Sequence, residues 1–202
     1  VSEYSTGLLM GQTAERLAKR LGISRSEQDE FASMSHQRAT SAREKGILKK
    51  EIVPVVVPGK HKAIEHDNGP REDATPEKLG KLKGAFDRKY GTVTAGNSSF
   101  LTDGGTAVLL MSEEKARSLG LKPKAYIVSY AYSGQDLVEE LLLGPAFCIP
   151  QVLDKAGLKL SDIGVIEMHE AFASQIIGNI RCLASDTFCR ERLGRDRAVG
   201  EI

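Results

Sequence analysis

A histidine and a glutamate stand where a predicted strand meets a predicted helix. Residues 165–168, Val-Ile-Glu-Met, predict a short strand, and residues from about 170 to 184 predict a helix. Ligands in open α/β sheets lie at the carboxyl ends of strands, and a helix N-terminus adds a positive dipole end. A neutral His169 in that position can donate a hydrogen bond, directly or through water, to an oxygen that gains negative charge. The pair His169–Glu170 is therefore the first candidate catalytic site.

Other roles for His169 follow from the same residues. A strand-end histidine can simply satisfy a backbone carbonyl, and the residues alone leave that structural role open. A zinc site is not supported, because Ala173 stands four positions on, where a second histidine is needed. The three cysteines are odd in number and lack metal spacing, so we predict no metal site and reduced thiols in an intracellular protein.

Cys148 is the cysteine that we consider first as a candidate nucleophile. A reactive thiol needs a lowered pKa and a base beside it. The neighbouring residues, GPAF before it and IP after it, supply neither. We therefore predict that Cys148 is a buried, unreactive small residue.

A second candidate site is the stretch 91–112, GTVTAGNSSFLTDGGTAVLLMS. Residues 92–94 read as a short extended run, and residues 95–99 form a turn of small and polar side chains. Such a turn lets backbone N–H groups and hydroxyls approach a ligand closely. Residues 106–111 do not alternate in polarity, which predicts a fully buried strand. A plain glycine-rich turn between two strands is the alternative interpretation.

The remaining elements would position these two stretches. Thr13 is predicted to cap a first helix, and Ser24 with Glu27 forms a capping box for a long second helix over residues 25–45. His36 on that helix is predicted to be exposed or to pack. Further helices are predicted after Thr75-Pro76, after Ser112 and over residues 146–157 with an interruption near Pro150, and further strands over residues 51–57 and 124–132. This order indicates an α/β layered fold.

Composition sets few limits on function. The chain has 202 residues, a net charge of +1, 41% hydrophobic and 27% charged residues, which is typical of a globular protein and argues for neither nucleic acid nor membrane partners. No apolar run approaches the roughly 20 residues of a membrane span, and the start lacks the basic region of a signal peptide. Residues 58–82 are rich in charge, proline and glycine, which predicts a long surface excursion.

Three ordered motifs resemble the thiolase family: MGQTAE at residues 10–15, TVTAGNSS with LTDGG and AVLLMSEE from residue 92, and EMHEAFA at residues 167–173. The resemblance implies a partial thiolase-like α/β layered fold. Residues 1–101 would be the loop domain that binds coenzyme A, 102–123 the end of the N-terminal half, and 124–202 the start of the C-terminal half. The family's nucleophilic cysteine, Gly-His-Pro motif and Cys-x-Gly motif have no counterpart here, so we expect a fragment of a longer protein.

The resemblance also implies residue roles. His169 matches the asparagine that holds a water in the first oxyanion hole of most thiolases, and Glu170 matches a glutamate that orients the site; Phe172 is expected to pack in the core. Met10 matches a methionine of the pantetheine tunnel, and Ser99 a serine that meets the pantetheine amide. Arg71 falls near a basic residue that contacts the nucleotide end of coenzyme A.

The activity that the resemblance implies is acyl transfer. The form His-Glu-Ala-Phe is similar to thiolase subunits of fatty-acid oxidation complexes, which suggests a 3-ketoacyl-CoA thiolase with coenzyme A as substrate and no covalently bound cofactor. A homo-oligomer, a hydratase/dehydrogenase partner subunit, and a cytoplasmic (bacterial) or mitochondrial (eukaryotic) location are expected. The alternatives are a non-catalytic acyl-CoA- or lipid-binding protein and an interaction subunit that docks through residues 58–82.

Overall fold

The computed structural model describes residues 2–59 and 62–202, and most of its regular structure is helical. The helices are α1 (Met10–Arg20), α2 (Arg25–Glu44), α3 (Pro76–Leu79), α4 (Glu113–Ser118), α5 (Gly144–Ala156), α6 (Ala173–Leu183) and α7 (Asp186–Leu193). The strands are β1 (Val55–Val56) and β2 (Ala63–Ile64), which pair antiparallel. Three single-turn 3-10 helices cover Leu48–Lys50, Leu141–Leu143 and Leu160–Asp162. None of the helices in the described ranges is both long and apolar enough to traverse a bilayer.

The predicted helix starts at Ser24, Thr75 and Ser112 are confirmed. The Ser24 hydroxyl accepts the Glu27 N–H, and the Glu27 carboxylate accepts the Ser24 N–H at 2.8 Å, which completes the capping box. The Thr75 and Ser112 hydroxyls accept N–H groups of the first turns of α3 and α4 in the same way. These side chains each satisfy a backbone donor that the helix itself cannot pair.

The predictions for the start of the first helix and for an interruption in α5 were wrong. The first helix starts at Met10, so Thr13 lies inside it and does not cap it. α5 begins at Gly144 and runs through Pro150 without a break. Proline normally disrupts a helix interior because it removes a hydrogen bond and crowds the preceding turn. Here Pro150 is buried together with Ala146 and Leu153, and that packing holds the helix together.

Most predicted strands are not formed within the described residues. Segments 92–94, 106–111, 124–132 and 165–168 have no ladder partner there, and of residues 51–57 only Val55–Val56 is a strand. The predicted burial of 106–111 was also wrong, since Val108, Leu109 and Leu110 are 68–80% exposed. Apolar strands need neighbouring strands to cover their faces and pair their backbones. The described residues do not supply those neighbours.

The core lies where α6 packs against α1 and α5. Its largest cluster consists of buried Leu17, Leu143, Ala146, Cys182 and Leu183. Gly178 of α6 permits a close helix approach, because a Cβ there would lie 3.2–3.3 Å from the side chains of Leu21 and Leu17. This packing fixes α6, and therefore the chain that enters it, against the N-terminal helices.

A second, smaller cluster lies next to the candidate site. It is formed by Ala14, Val93 and Phe172, which are all at least nine-tenths buried, and Phe86 packs edge-on against Phe172. The predicted core role of Phe172 is thereby confirmed. The cluster ties α1 to both candidate stretches, through Val93 of the first and Phe172 of the second.

Candidate active site

The two candidate stretches are joined through their backbones. The Ala173 N–H donates to the Asn97 carbonyl at 3.0 Å, and the Ser99 N–H donates to the Ala171 carbonyl at 2.9 Å. Between them, Ser98 forms an isolated antiparallel bridge with the residue before Ala173. This pairing also explains why α6 starts at residue 173 and not at 170 as predicted: residues 171 and 172 are held in an extended conformation.

The loop after Thr94 is organised around a buried amide. Asn97 is 3% exposed, and its side-chain N–H₂ donates to Asp29 Oδ1 at 2.9 Å and to the Thr92 carbonyl at 3.0 Å. Its Oδ1 accepts the Thr94 N–H at 2.7 Å. Asp29 is 2% exposed and also pairs with Arg25 at 2.7 Å. Both the N–H₂ group and the oxygen of the Asn97 side chain thus have hydrogen-bond partners, and the bond to Asp29 anchors the loop to α2.

The extended run 92–94 is held by side chains of α1 and α2 and not by a strand. The Glu15 carboxylate accepts the N–H groups of Thr92 at 2.9 Å and Val93 at 2.8 Å. The Gln28 amide donates to the Thr92 hydroxyl at 3.0 Å. These contacts replace the ladder bonds that the strand prediction assumed.

An open cavity of about 370 Å³ lies between α2 and this loop. Ser99 and Glu170, two of the predicted site residues, both line it, together with Ser35, His36 and Phe100. The Ser35 hydroxyl donates to Glu170 Oε2 at 2.5 Å. The volume falls within the range of small-molecule sites in proteins. The cavity therefore brings a hydroxyl, a carboxylate and an imidazole to one surface.

His169 is exposed and directly precedes Glu170, but it is not among the residues that line the cavity. The prediction that it stands at a helix N-terminus was wrong, because α6 begins four residues later. The helix dipole acts mainly within the first turn, so it contributes little at His169. The nearest backbone pairing is at Ala171, two residues later, whose carbonyl accepts the Ser99 N–H.

His36 is a cavity residue that sequence reasoning missed. It is half-buried, its Nδ1 accepts the Arg71 N–H at 3.3 Å, and its ring lies 6.2 Å from that of Phe100. Burial and then the Arg71 cation lower the pKa of His36, against the opposing effects of two nearby carboxylates. A neutral ring with Nδ1 as acceptor carries its proton on Nε2, so His36 is a hydrogen-bond donor. The sequence gives no signal for this role, because a single histidine on a long polar helix carries no distinctive pattern.

Comparison with known proteins decides the family. The model of the thiolase N-terminal domain matches residues 1–114, and that of the thiolase C-terminal domain matches residues 121–196. The chain belongs to the thiolase family. It is 51% identical over all 202 residues to a 3-ketoacyl-CoA thiolase of Yersinia enterocolitica and 52% identical to one of Pectobacterium carotovorum. It spans 46% of the length of each of these relatives.

Solved structures of thiolases share its fold. The chain superposes on a Bacillus anthracis acetyl-CoA acetyltransferase with a TM-score of 0.86 and 41% identity, covering 95% of this chain and 48% of that one. For the dimeric peroxisomal thiolase of Saccharomyces cerevisiae the TM-score is 0.83 and the identity 37%, covering 86% and 44%. The predicted partial thiolase-like α/β fold is thereby confirmed.

Two further site residues predicted from the thiolase resemblance lie outside the cavity lining. Met10 packs against the cluster that contains Phe172. Arg71 is exposed, and its backbone N–H to His36 places it beside the cavity. The structure therefore brings Ser99 and Glu170 to one surface. His169 and Arg71 lie next to that surface, and Met10 packs against the cluster that contains Phe172.

The cysteines of this thiolase chain do not have the surroundings of a nucleophile. Cys148 is half-buried, so the prediction that it is buried was wrong. Its Sγ lies 3.2 Å from the Ser133 hydroxyl oxygen, and a hydroxyl cannot serve as its general base. Cys182 and Cys189 are buried, and burial raises the pKa of Cys182 to about 11. A protonated, buried thiol is unreactive at neutral pH.

Proposed function

We propose that the protein acts as a 3-ketoacyl-CoA thiolase, which cleaves a 3-ketoacyl-CoA with coenzyme A to acyl-CoA and acetyl-CoA, or condenses them in reverse. The observation that carries this proposal is the cavity that Ser99 and Glu170 both line, with His169 directly before Glu170 in the chain. The names of the 51–52% identical relatives support the same reaction and the same substrate class.

Coenzyme A is the substrate that suits the cavity. Its pantetheine arm carries amides that the Ser99 hydroxyl can meet, and the neutral His36 offers a second donor at the same surface. Its phosphates suit the exposed Arg71 guanidinium at the cavity edge. We propose coenzyme A as a substrate and no covalently bound cofactor.

The chemistry proceeds through a cysteine that lies outside these 202 residues. The thiol of that cysteine loses its proton and takes the acyl group as a thioester while the carbon–carbon bond to the acetyl-CoA part breaks, and the released acetyl-CoA carbon takes up a proton. The thiol of coenzyme A then attacks the thioester, acyl-CoA is released, and its proton restores the cysteine thiol. His169 donates a hydrogen bond to the thioester oxygen as negative charge develops, and Glu170 orients this part of the site.

We propose the partners and the location on separate grounds. The dimeric yeast structure supports a homo-oligomer. We propose a hydratase/dehydrogenase partner subunit because residues 169–172 have the form His-Glu-Ala-Phe, which is similar to thiolase subunits of fatty-acid oxidation complexes. The bacterial relatives support a cytoplasmic location.

Arg71→Ala tests the assignment of the coenzyme A site. All activity tests refer to the full-length protein, meaning a protein of the relatives' length that carries these 202 residues at their matched position. We expect KM for coenzyme A to rise about tenfold with kcat unchanged, because a charge-assisted phosphate contact made in every bound state is lost. Arg88→Ala, which removes another exposed arginine, should leave KM unchanged. An unchanged KM for Arg71→Ala would contradict the assignment.

A further inference from the structure

A short hydrogen bond ties α2 to the segment that carries the proposed catalytic residues. Ser35 and Glu170 are 135 positions apart in sequence, yet the Ser35 hydroxyl lies 2.5 Å from Glu170 Oε2. Distances of 2.5–2.7 Å are typical of a hydroxyl that donates to an ionised carboxylate, which is among the stronger hydrogen bonds in proteins. Among the described residues, Ser35 is the side chain that donates to this carboxylate.

The backbone on the other side of Glu170 is also fixed. The Ala171 carbonyl accepts the Ser99 N–H at 2.9 Å, and the Ala171 N–H donates to Gln175 Oε1 at 3.1 Å. Glu170 itself is exposed, so without a partner its carboxylate would be free to move into solvent. Ser35 therefore supplies the restraint that the backbone pairing lacks, on the side of Glu170 that faces the cavity.

We propose that Ser35 is a positioning residue of the thiolase reaction. Its hydroxyl holds the Glu170 carboxylate against α2, and this limits rotation of the peptide between His169 and Glu170. His169 is then held in one orientation toward the thioester oxygen. The proposal rests on the proposed function, and it adds to the site a residue from the helix that also carries the cavity donor His36.

A double-mutant cycle on the full-length protein tests the proposal. Ser35→Ala should lower kcat about tenfold with KM for coenzyme A unchanged, because misplacement of a catalytic group costs rate and not substrate binding. In the Glu170→Ala background the same substitution should change kcat less than twofold. Ser35→Thr keeps the hydroxyl and should restore most of kcat. Ser41→Ala, on the same helix, is the matched control and should leave kcat unchanged.

Each contrary outcome overturns the proposal. An equal loss of kcat in both backgrounds would show that Ser35 does not act through Glu170. A raised KM with unchanged kcat would make Ser35 a ligand contact, and a lowered Tm without a change in kcat would make it a purely structural residue. Wild-type protein without thiolysis would refute the proposed function and this proposal together, whereas an active wild type with an additive cycle refutes the role of Ser35 alone.

Discussion

Replacing His169 with alanine in the full-length protein should lower kcat for thiolysis about 100-fold. Removal of one donor to a developing oxyanion typically costs a factor of 10² to 10³, because a donor held in place stabilises the charge as it develops. His169 is exposed, so the substitution should leave folding intact. Steady-state loss of 3-ketoacyl-CoA in the presence of coenzyme A measures the effect.

A conservative replacement of His169 and a control at another histidine test whether the effect on kcat comes from the lost hydrogen-bond donor. His169→Asn should retain more than a tenth of kcat, because the asparagine that the thiolase resemblance implies at this position also offers an N–H donor. His66→Ala, which removes an exposed histidine elsewhere, should have no effect on kcat. Unchanged kcat for His169→Ala would remove His169 from the mechanism and leave it the structural role that the sequence also allows.

Asn97→Ala should lower the free energy of unfolding of the 202-residue chain by about 3 kcal/mol. The substitution breaks the hydrogen bonds of the amide to Asp29, Thr92 and Thr94. It also leaves the nearly fully buried Asp29 carboxylate with one partner fewer. Unpaired buried polar groups cost about 1–3 kcal/mol each, and more when they are charged.

Urea denaturation followed by circular dichroism measures the effect of Asn97→Ala. Asn68→Ala removes an exposed asparagine and should change the free energy of unfolding by less than about 0.5 kcal/mol. A loss below about 1 kcal/mol for Asn97→Ala would mean that the loop is not anchored through this amide. The backbone pairing of residues 97–99 with 171–173 would then be the main restraint on the site.

Local features of the fold could be predicted from the sequence. The capping residues Ser24, Thr75 and Ser112 each act within three or four positions, so the residues that define a helix start are visible together in the chain. Gly157 likewise ends α5 in the left-handed conformation with φ of 68°. The start of α6 was misplaced because a distant segment, residues 97–99, holds its first residues extended.

Features that depend on distant residues could not be predicted. The apolar run 106–111 has the composition of a core strand, but whether it is covered depends on neighbouring strands that its own sequence does not reveal. The support of residues 92–94 by Glu15 and Gln28 joins positions more than 60 apart. Motif resemblance, and not periodicity, indicated that residues 91–112 and 167–173 belong to one site.

The candidate site was predicted in part. Ser99 and Glu170 meet at the cavity, whereas Met10 lies in the neighbouring apolar cluster. Ser35 and His36 were missed because a serine and a histidine on a long polar helix carry no distinctive pattern. The roles of His169, Glu170, Met10, Arg71 and Ser99, and the domain boundaries at residues 101 and 123, stay predictions.

A thiolysis assay that compares the full-length protein with the 202-residue chain tests the central claim most directly. With 3-ketoacyl-CoA and coenzyme A, we expect turnover by the full-length protein and none by the 202-residue chain, because the proposed mechanism uses a nucleophilic cysteine outside these residues. Turnover by the 202-residue chain would contradict this account and assign the chemistry to one of its own cysteines, foremost Cys148. Binding of acyl-CoA by the full-length protein without turnover would contradict it too, in favour of a non-catalytic acyl-CoA-binding protein.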